Sequence, residues 1–324
     1  MLIKHSNISH NYVHVAHSYE FDNTVTMSGS SGYNESDKYK LSILTDNNSM
    51  WMLTETTTPI WQKVGGNVVT GELGIEGAGG EITTIVDNGI NYNIHTFITS
   101  GTFTVIERGV AEILIVAGGG GGGASRTGNS GSTDGAGGGG GGGIILRELV
   151  LEPGDYSVIV GTGGAGGIFT NTPTLNATSG AIGGNSSFND LVAVGGGGGG
   201  KGSGGDGGDG GCGGGAGGTF QYNAASGASV YLQPNLLTGW GTAGLPPRYQ
   251  DKGYGGMGAG GIGNQWHAGP GMEIWGATYA AGGVGCDNSG LAGADNTGDG
   301  GAGAYFHKSG KDGGSGIVKI RYEV

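Results

Sequence analysis

The sequence predicts an all-β fold with a large irregular component. A β-rich N-terminal region precedes a domain in which β-strands clamp packed extended helices of polyglycine II type. Three observations carry this expectation. Short stretches alternate apolar and polar residues at the period of a strand. Of the 82 glycines, only 12 precede Ala117. Many of the glycines that follow stand in runs between strand-like segments.

Residues 1–66 are polar and contain Lys40-Leu-Ser-Ile-Leu-Thr, Met50-Trp-Met-Leu-Thr and Pro59-Ile-Trp61-Gln-Lys-Val. These short alternating stretches read as small hairpins. Residues 67–90, tinged with glycine and acid, read as a linker, and residues 91–324 as the glycine-rich domain. That domain opens with three strand-like segments, Tyr92-Asn-Ile-His-Thr-Phe-Ile-Thr, Gly101-Thr-Phe-Thr-Val and Ala111-Glu-Ile-Leu-Ile-Val. Further strand character recurs at Ile144-Ile-Leu-Arg-Glu-Leu-Val-Leu, at Tyr156 to Val160, at Ser187-Phe-Asn-Asp-Leu-Val-Ala-Val and at Gly316-Ile-Val-Lys-Ile-Arg-Tyr322.

Between these segments lie the tracts Gly118 to Gly123, Gly137 to Gly143, Gly195 to Gly200 and the interrupted stretch Gly202 to Gly218. A flexible linker does not need pure glycine runs set between apolar strands. Collagen needs glycine at every third place with abundant proline, whereas this chain has 7 prolines. An extended three-residue helix leaves its N–H and C=O groups unused internally, so they can bond to neighbours on several sides. Bare Cα atoms let those neighbours approach, which explains why whole runs are glycine. Each ordered residue loses about 1–2 kcal/mol of backbone entropy, and glycine loses most. Interhelix hydrogen bonds return roughly 0.5–1.5 kcal/mol each, so such helices hold only as a clamped array.

One segment imitates a nucleotide site. Tyr156 to Val160 runs into Gly161-Thr-Gly163-Gly-Ala-Gly166, a G-x-G-x-x-G pattern. A dinucleotide turn must open a helix and be followed by an acid about 20 positions later. The sequence after it, Ile168-Phe-Thr-Asn-Thr-Pro173, has no helical periodicity, so no cofactor is expected.

Charge and hydropathy exclude other classes. The net charge is −12 with 14 Lys and Arg in total, which opposes nucleic-acid binding. No apolar run reaches the roughly 18–20 residues needed to span a bilayer, and Met1-Leu-Ile-Lys-His lacks the apolar stretch of a signal peptide. Synthesis in a cytoplasm is therefore expected. Cys212 and Cys286 then read as buried thiols, with a disulfide left open should the protein reach an oxidising medium.

The blocks "YNIHTFITSGTFTV…AEILIVAGGGGGGAS", "LEPGDYSVIVGTGGAGG", "GGNSSFNDLVAVGGGGGGKG" and "GGSGIVKIRY" resemble the glycine-rich domain of bacteriophage tail and tail-fibre proteins, over residues 91–324. The resemblance implies packed polyglycine helices that display loops to a bacterial surface receptor. It also implies a location on the virion, exposed outside the cell in which it is made. By position, residues 1–66 would anchor to other virion proteins. A homotrimer is one assembly the resemblance allows, and no heptad pattern decides it.

Glycine helices offer no recognition groups, so specificity is expected in the segments joining them. Aromatic rings stack on sugar faces and dominate interface hot spots. The receptor-binding candidates are Trp240, Trp266, His267, Trp275, Tyr222, Tyr231, Tyr249 and Tyr279, and Tyr305-Phe306-His307 belongs to the same aromatic set. Their competing role is to plug the edges of the glycine array. Asp206 and Asp209 fit part of a calcium-binding nonapeptide, but Gly211 stands where a large apolar residue is required. Asp295-Asn-Thr-Gly-Asp299 also gathers oxygens. A calcium site needs six or more ligands, so solvated loop acids are the expectation for both stretches. His5, His10, His14 and His17 lie in a polar stretch without helical character, so no metal site is expected there. No nucleophile and base pair is evident, and no enzyme activity is expected. The expected function is host attachment by a tail-fibre or tip adhesin, with a structural capsid decoration or head-fibre protein as the alternative.

Overall fold

The computed structural model describes residues 75–126, 135–171, 176–218, 227–228, 254–264, 267–286 and 290–324, and the backbone of five short strands outside them. The chain divides into two compact units, Met1–Leu73 and Gly74–Val324. No helix is found among the described residues.

In the first unit, β1 (Ser18–Phe21), β2 (Leu41–Leu44), β3 (Ser49–Glu55) and β4 (Ile60–Lys63) form one sheet in that order. β1 and β2 are parallel and the other pairs antiparallel, with a register shift between Leu53 and Glu55. The stretches read as hairpins are β2, β3 and β4.

The second unit begins inside the predicted linker. β5 (Glu76–Ala78) and β6 (Glu81–Asp87) lie within residues 67–90, so that stretch is no simple connector. β6 escaped notice because it is an edge strand, exposed over six of its seven residues, and therefore carries no apolar alternation. Gly79 and Gly80, which suggested flexibility, take φ of 117° and 66° in the turn between the two strands. β7 (Ile90–Phe97), β8 (Gly101–Glu107), β9 (Gly109–Val116), β10 (Ile144–Leu151) and β11 (Gly154–Ile159) fall on the expected segments. β12 (Phe169–Thr170) and β13 (Asn176–Ala177) make a small hairpin. The single strand expected at Ser187 to Val194 is instead a hairpin of β14 (Ser186–Phe188) and β15 (Leu191–Ala193), which turns at Asn189 with φ 46°. β16 (Gly239–Trp240), the hairpin β17 (Met272–Ile274) and β18 (Ala277–Tyr279), and β19 (Ile317–Glu323) complete the set.

Two sheets build the base. One has the order β16-β10-β9-β19-β7-β6 and the other β15-β14-β11-β8-β5. The core between them contains Phe97, Phe103, Val105, Ile113, Ile115, Val158, Phe188, Val318 and Ile320. Alternation along β9 and β19 sends Leu114, Val116 and Ile317 to the outer face of the larger sheet, where Met257, Ile274, Tyr279 and Cys212 cover them.

The glycine runs are continuations of these strands. β9 runs on into 117–125, and the chain returns through 135–143 into β10. β11 leads to 161–167, with return through 178–184 into β14, and residues 308–316 lead into β19.

The 117–125 run shows how they pack. Its N–H groups at 117, 120 and 123 donate to carbonyls at 143, 140 and 137. Those at 118, 121 and 124 donate to 184, 181 and 178, and those at 119, 122 and 125 to 314, 311 and 308. Three antiparallel neighbours are thus served with a three-residue period. Its carbonyls accept from 164 and 167, from 196, 199 and 202, and from 301 and 304, three further neighbours running parallel. The run is therefore ringed by six others. A Cβ built on any of Gly118 to Gly123 would come nearer than 3.0 Å to a carbonyl oxygen of the parallel neighbours. The run 135–143 also has six neighbours, five antiparallel and one, 254–257, parallel, and a Cβ on any of Gly137 to Gly143 would likewise come nearer than 3.0 Å to a neighbouring carbonyl oxygen.

Candidate functional site at the two ends of the glycine array

The run pairings define two ends. Ala117 pairs with Gly143 beside the strands, whereas Gly123 pairs with Gly137 and Ser125 with Lys308 away from them. The candidate aromatics that fall among the described residues divide between these ends.

Trp240 ends β16, which pairs with Ile144 and Ile145 at the strand end. Trp275 sits at the tip of the β17–β18 hairpin in a Trp275-Gly276 turn with φ of 49° and 74°. Both positive values fit a type I′ connection. The ring of Trp275 is half-buried against the outer face of the larger sheet, 5.4 Å from the Arg321 guanidinium. On another side Arg321 lies 3.8 Å over Tyr92 and pairs with Asp87 at 2.7 Å, while its Nε faces Glu112 at 3.5 Å, an ion-pair distance. Tyr279 is 3% exposed in the same cluster. Its burial leaves no ring face for a ligand. These residues cap the strands.

His267 is exposed and lies toward the far end. Its backbone N–H and imidazole are both 3.2 Å from the side-chain oxygen of Asn264, closing a turn beside Gly255. Trp266, Tyr222, Tyr231 and Tyr249 lie outside the described residues.

A further aromatic group occupies the far end. Ala304 donates to Gly123, and the chain then turns through Tyr305, Phe306, His307 and Lys308. Phe306 and His307 both have φ of 48°, a left-handed conformation that disfavours side chains with a Cβ. The His307 ring stacks on Phe169 of β12 at 5.1 Å and 18°, and Phe306 lies 4.7 Å from His307 on a tilt. The Phe169 N–H donates to Ser309 Oγ at 3.0 Å, tying the two loops together. Beside this stack is a hollow of about 460 Å³ lined by Phe169, His307, Lys308, Ser309, Lys311 and the run 302–304. Sequence reasoning noted the Tyr305 to His307 aromatics but gave no reason to single them out, because the pairing with Phe169 is long-range.

A second hollow of about 460 Å³ lies between residues 281–284, 290–294 and 299–302. Asp299 lines it. Burial pushes its carboxyl above the ordinary carboxylate range, against a hydrogen bond donated by the Ala281 N–H at 2.9 Å. Asp295 to Gly298 form a turn in which Thr297 Oγ1 donates to the Ala294 carbonyl and the Asn296 N–H donates to Ser315 Oγ. Asp209 accepts from the Ala228 N–H at 2.6 Å. Among the described residues, no group of three or more His, Cys, Asp or Glu could hold a metal ion. His5, His10, His14 and His17 lie outside them. Cys212 and Cys286 are buried thiols, and the Cys212 thiol lies 3.7 Å from the Gly142 carbonyl. No described helix is long and apolar enough to cross a membrane.

The nucleotide-like Gly161 to Gly166 forms part of the array. The Gly164 N–H donates to the Gly119 carbonyl, and the Gly161 N–H donates to Ser186 Oγ. These donors are engaged within the protein rather than aimed at a phosphate.

The chain belongs to the glycine-rich domain family, whose model matches residues 96–323. Comparison with curated proteins gave no match.

Proposed function

We propose that this chain is a bacteriophage virion protein, a tail-fibre or tip adhesin that holds a host surface receptor at the far end of its glycine array. Residues 1–66 then serve as the attachment to other virion proteins. One observation carries the reading. A base of two sheets extends into tightly bonded glycine runs that present an exposed, strained aromatic segment, Phe306-His307, stacked against Phe169. Left-handed non-glycine residues persist where surrounding structure holds them, and they cluster at binding sites. Six-neighbour packing gives such a segment a rigid mount, which lowers the ordering cost of binding.

The same packing favours a second reading, a capsid decoration or head-fibre protein in which the array is a rigid cap. Labelled full-length chain applied to a panel of bacterial strains separates the two. An adhesin binds a subset of strains and loses that binding in Phe306→Ala while its melting temperature is kept. A folded chain that binds no strain supports the structural cap.

A further inference from the structure

We infer that the hollow beside Phe169 and His307 binds an anionic sugar unit, a pyranose bearing a carboxylate or phosphate. The inference rests on the attachment reading only for its biological setting; the chemistry stands on the hollow itself. Its volume of about 460 Å³ falls in the range of about 300–1,000 Å³ typical of small-molecule sites. One wall is aromatic, the stacked pair of Phe169 and His307, and rings of this kind cover the apolar faces of sugars. Lys308 and Lys311 also line the hollow, and both are exposed. The hydroxyl of Ser309 accepts from Phe169 and can donate in turn.

The charge balance makes the assignment specific. The chain carries a net charge of −12, yet among the described residues that line this hollow there are two lysines and no Asp or Glu. Attraction of an anion here opposes the overall field and comes from local geometry. Gly290 and Ala302 line both this hollow and its neighbour, so the two adjoin. The neighbour contains Asp299, Leu291, Ala292 and Ala294 and, among the described residues that line it, no Lys or Arg. A bound saccharide therefore places its acidic group toward Lys308 and Lys311 and directs uncharged units toward the second hollow.

The test is calorimetric titration of the full-length chain with a glucuronic acid oligosaccharide, glucose 1-phosphate, a neutral glucose oligosaccharide and inorganic phosphate. At least one of the two acidic sugars binds about tenfold or more tightly than the neutral one, as expected for one charge-assisted contact. Lys311→Ala removes most of that preference, and Phe169→Ala weakens the acidic sugar without lowering the melting temperature. The inference is overturned if neutral and acidic sugars bind alike, if inorganic phosphate binds as tightly as either acidic sugar, or if both variants bind as the parent does. Attachment is scored separately, by competition of the acidic sugars with binding of the chain to cells. Cell binding unaffected by sugars that do not bind in solution overturns the site and keeps attachment. Sugar binding in solution by a chain that binds no strain keeps the site and overturns attachment.

Discussion

His95 and Tyr322 are hydrogen-bonded at 2.8 Å inside the sandwich, joining neighbouring strands from opposite ends of the glycine-rich unit. The other imidazole nitrogen lies 2.6 Å from the Gly79 carbonyl and must donate to it. The Nε2 atom of a neutral ring then accepts from the Tyr322 hydroxyl. Burial, only partly offset by the Gly79 bond, holds the His95 pKa below its ordinary 6.5. The unfolded chain takes up a proton near pH 6.5 before the folded one does, so stability is full above that value and falls as pH drops through it. Melting temperature should decline between pH 7.5 and 5.5. His95→Gln should be less stable at pH 7.5 and show a smaller decline.

The unbroken run Gly118 to Gly123 should tolerate no Cβ. Gly122→Ala places a methyl against the Ala302 carbonyl, where backbone on both sides would have to shift. A loss of more than about 2 kcal/mol is expected, the scale of overpacking in a dense interior. Gly89 is the control. It has φ of 85° but open space around it, so Gly89→Ala should lose only about 1 kcal/mol from backbone conformation. Denaturant melts of both variants test the contrast.

Arg321 is the ion-pair residue whose removal should matter. Its side chain is 7% exposed and meets Asp87, Glu112, Tyr92 and Trp275. Arg321→Ala should destabilise by about 2–4 kcal/mol, since it leaves Asp87 without its partner and opens a gap between two rings. The Arg108–Glu152 pair is 2.7 Å long but 48% and 65% exposed. Arg108→Ala should change stability by less than about 1 kcal/mol.

The two ends should respond oppositely to aromatic substitution. Trp275→Ala uncovers the outer sheet face and should lower stability by about 2–4 kcal/mol, with receptor attachment retained by the folded fraction. Phe306→Gly removes an exposed ring from a left-handed residue. It should leave stability unchanged or higher by up to about 1 kcal/mol and abolish attachment. Equal loss of attachment in both variants would place the receptor elsewhere.

Most of the fold was legible because its signals are local. Alternation in Ala111 to Val116 follows from one face meeting the sandwich core and the other meeting the β17–β18 hairpin. The pure glycine runs announce neighbours too close for side chains. β6 was hidden by its exposure, and β14 and β15 were merged because a two-residue turn at Asn189-Asp190 contains no glycine. The site was less legible. Trp275 and Tyr279 look like surface aromatics from their glycine-rich setting, yet the hairpin folds them onto the sheet. His307 stands out only through its stack on Phe169, a partner on a distant loop.

The six-neighbour shell around 117–125 also bears on how the chain reaches this state. Gly118 bonds to Gly184, and Gly119 to Gly314, far along the chain. Glycine gives the run no side-chain hydrophobicity with which to collapse early. Loop closure must precede the reward of such distant contacts, which slows folding. The shell cannot close until the segment around Gly314 has left the ribosome, so its assembly is late and cooperative. Once closed, no run can be peeled away without breaking bonds to several others. Unfolding should then be slow, and the lifetime of the folded array, more than its equilibrium stability, should govern how long the protein lasts.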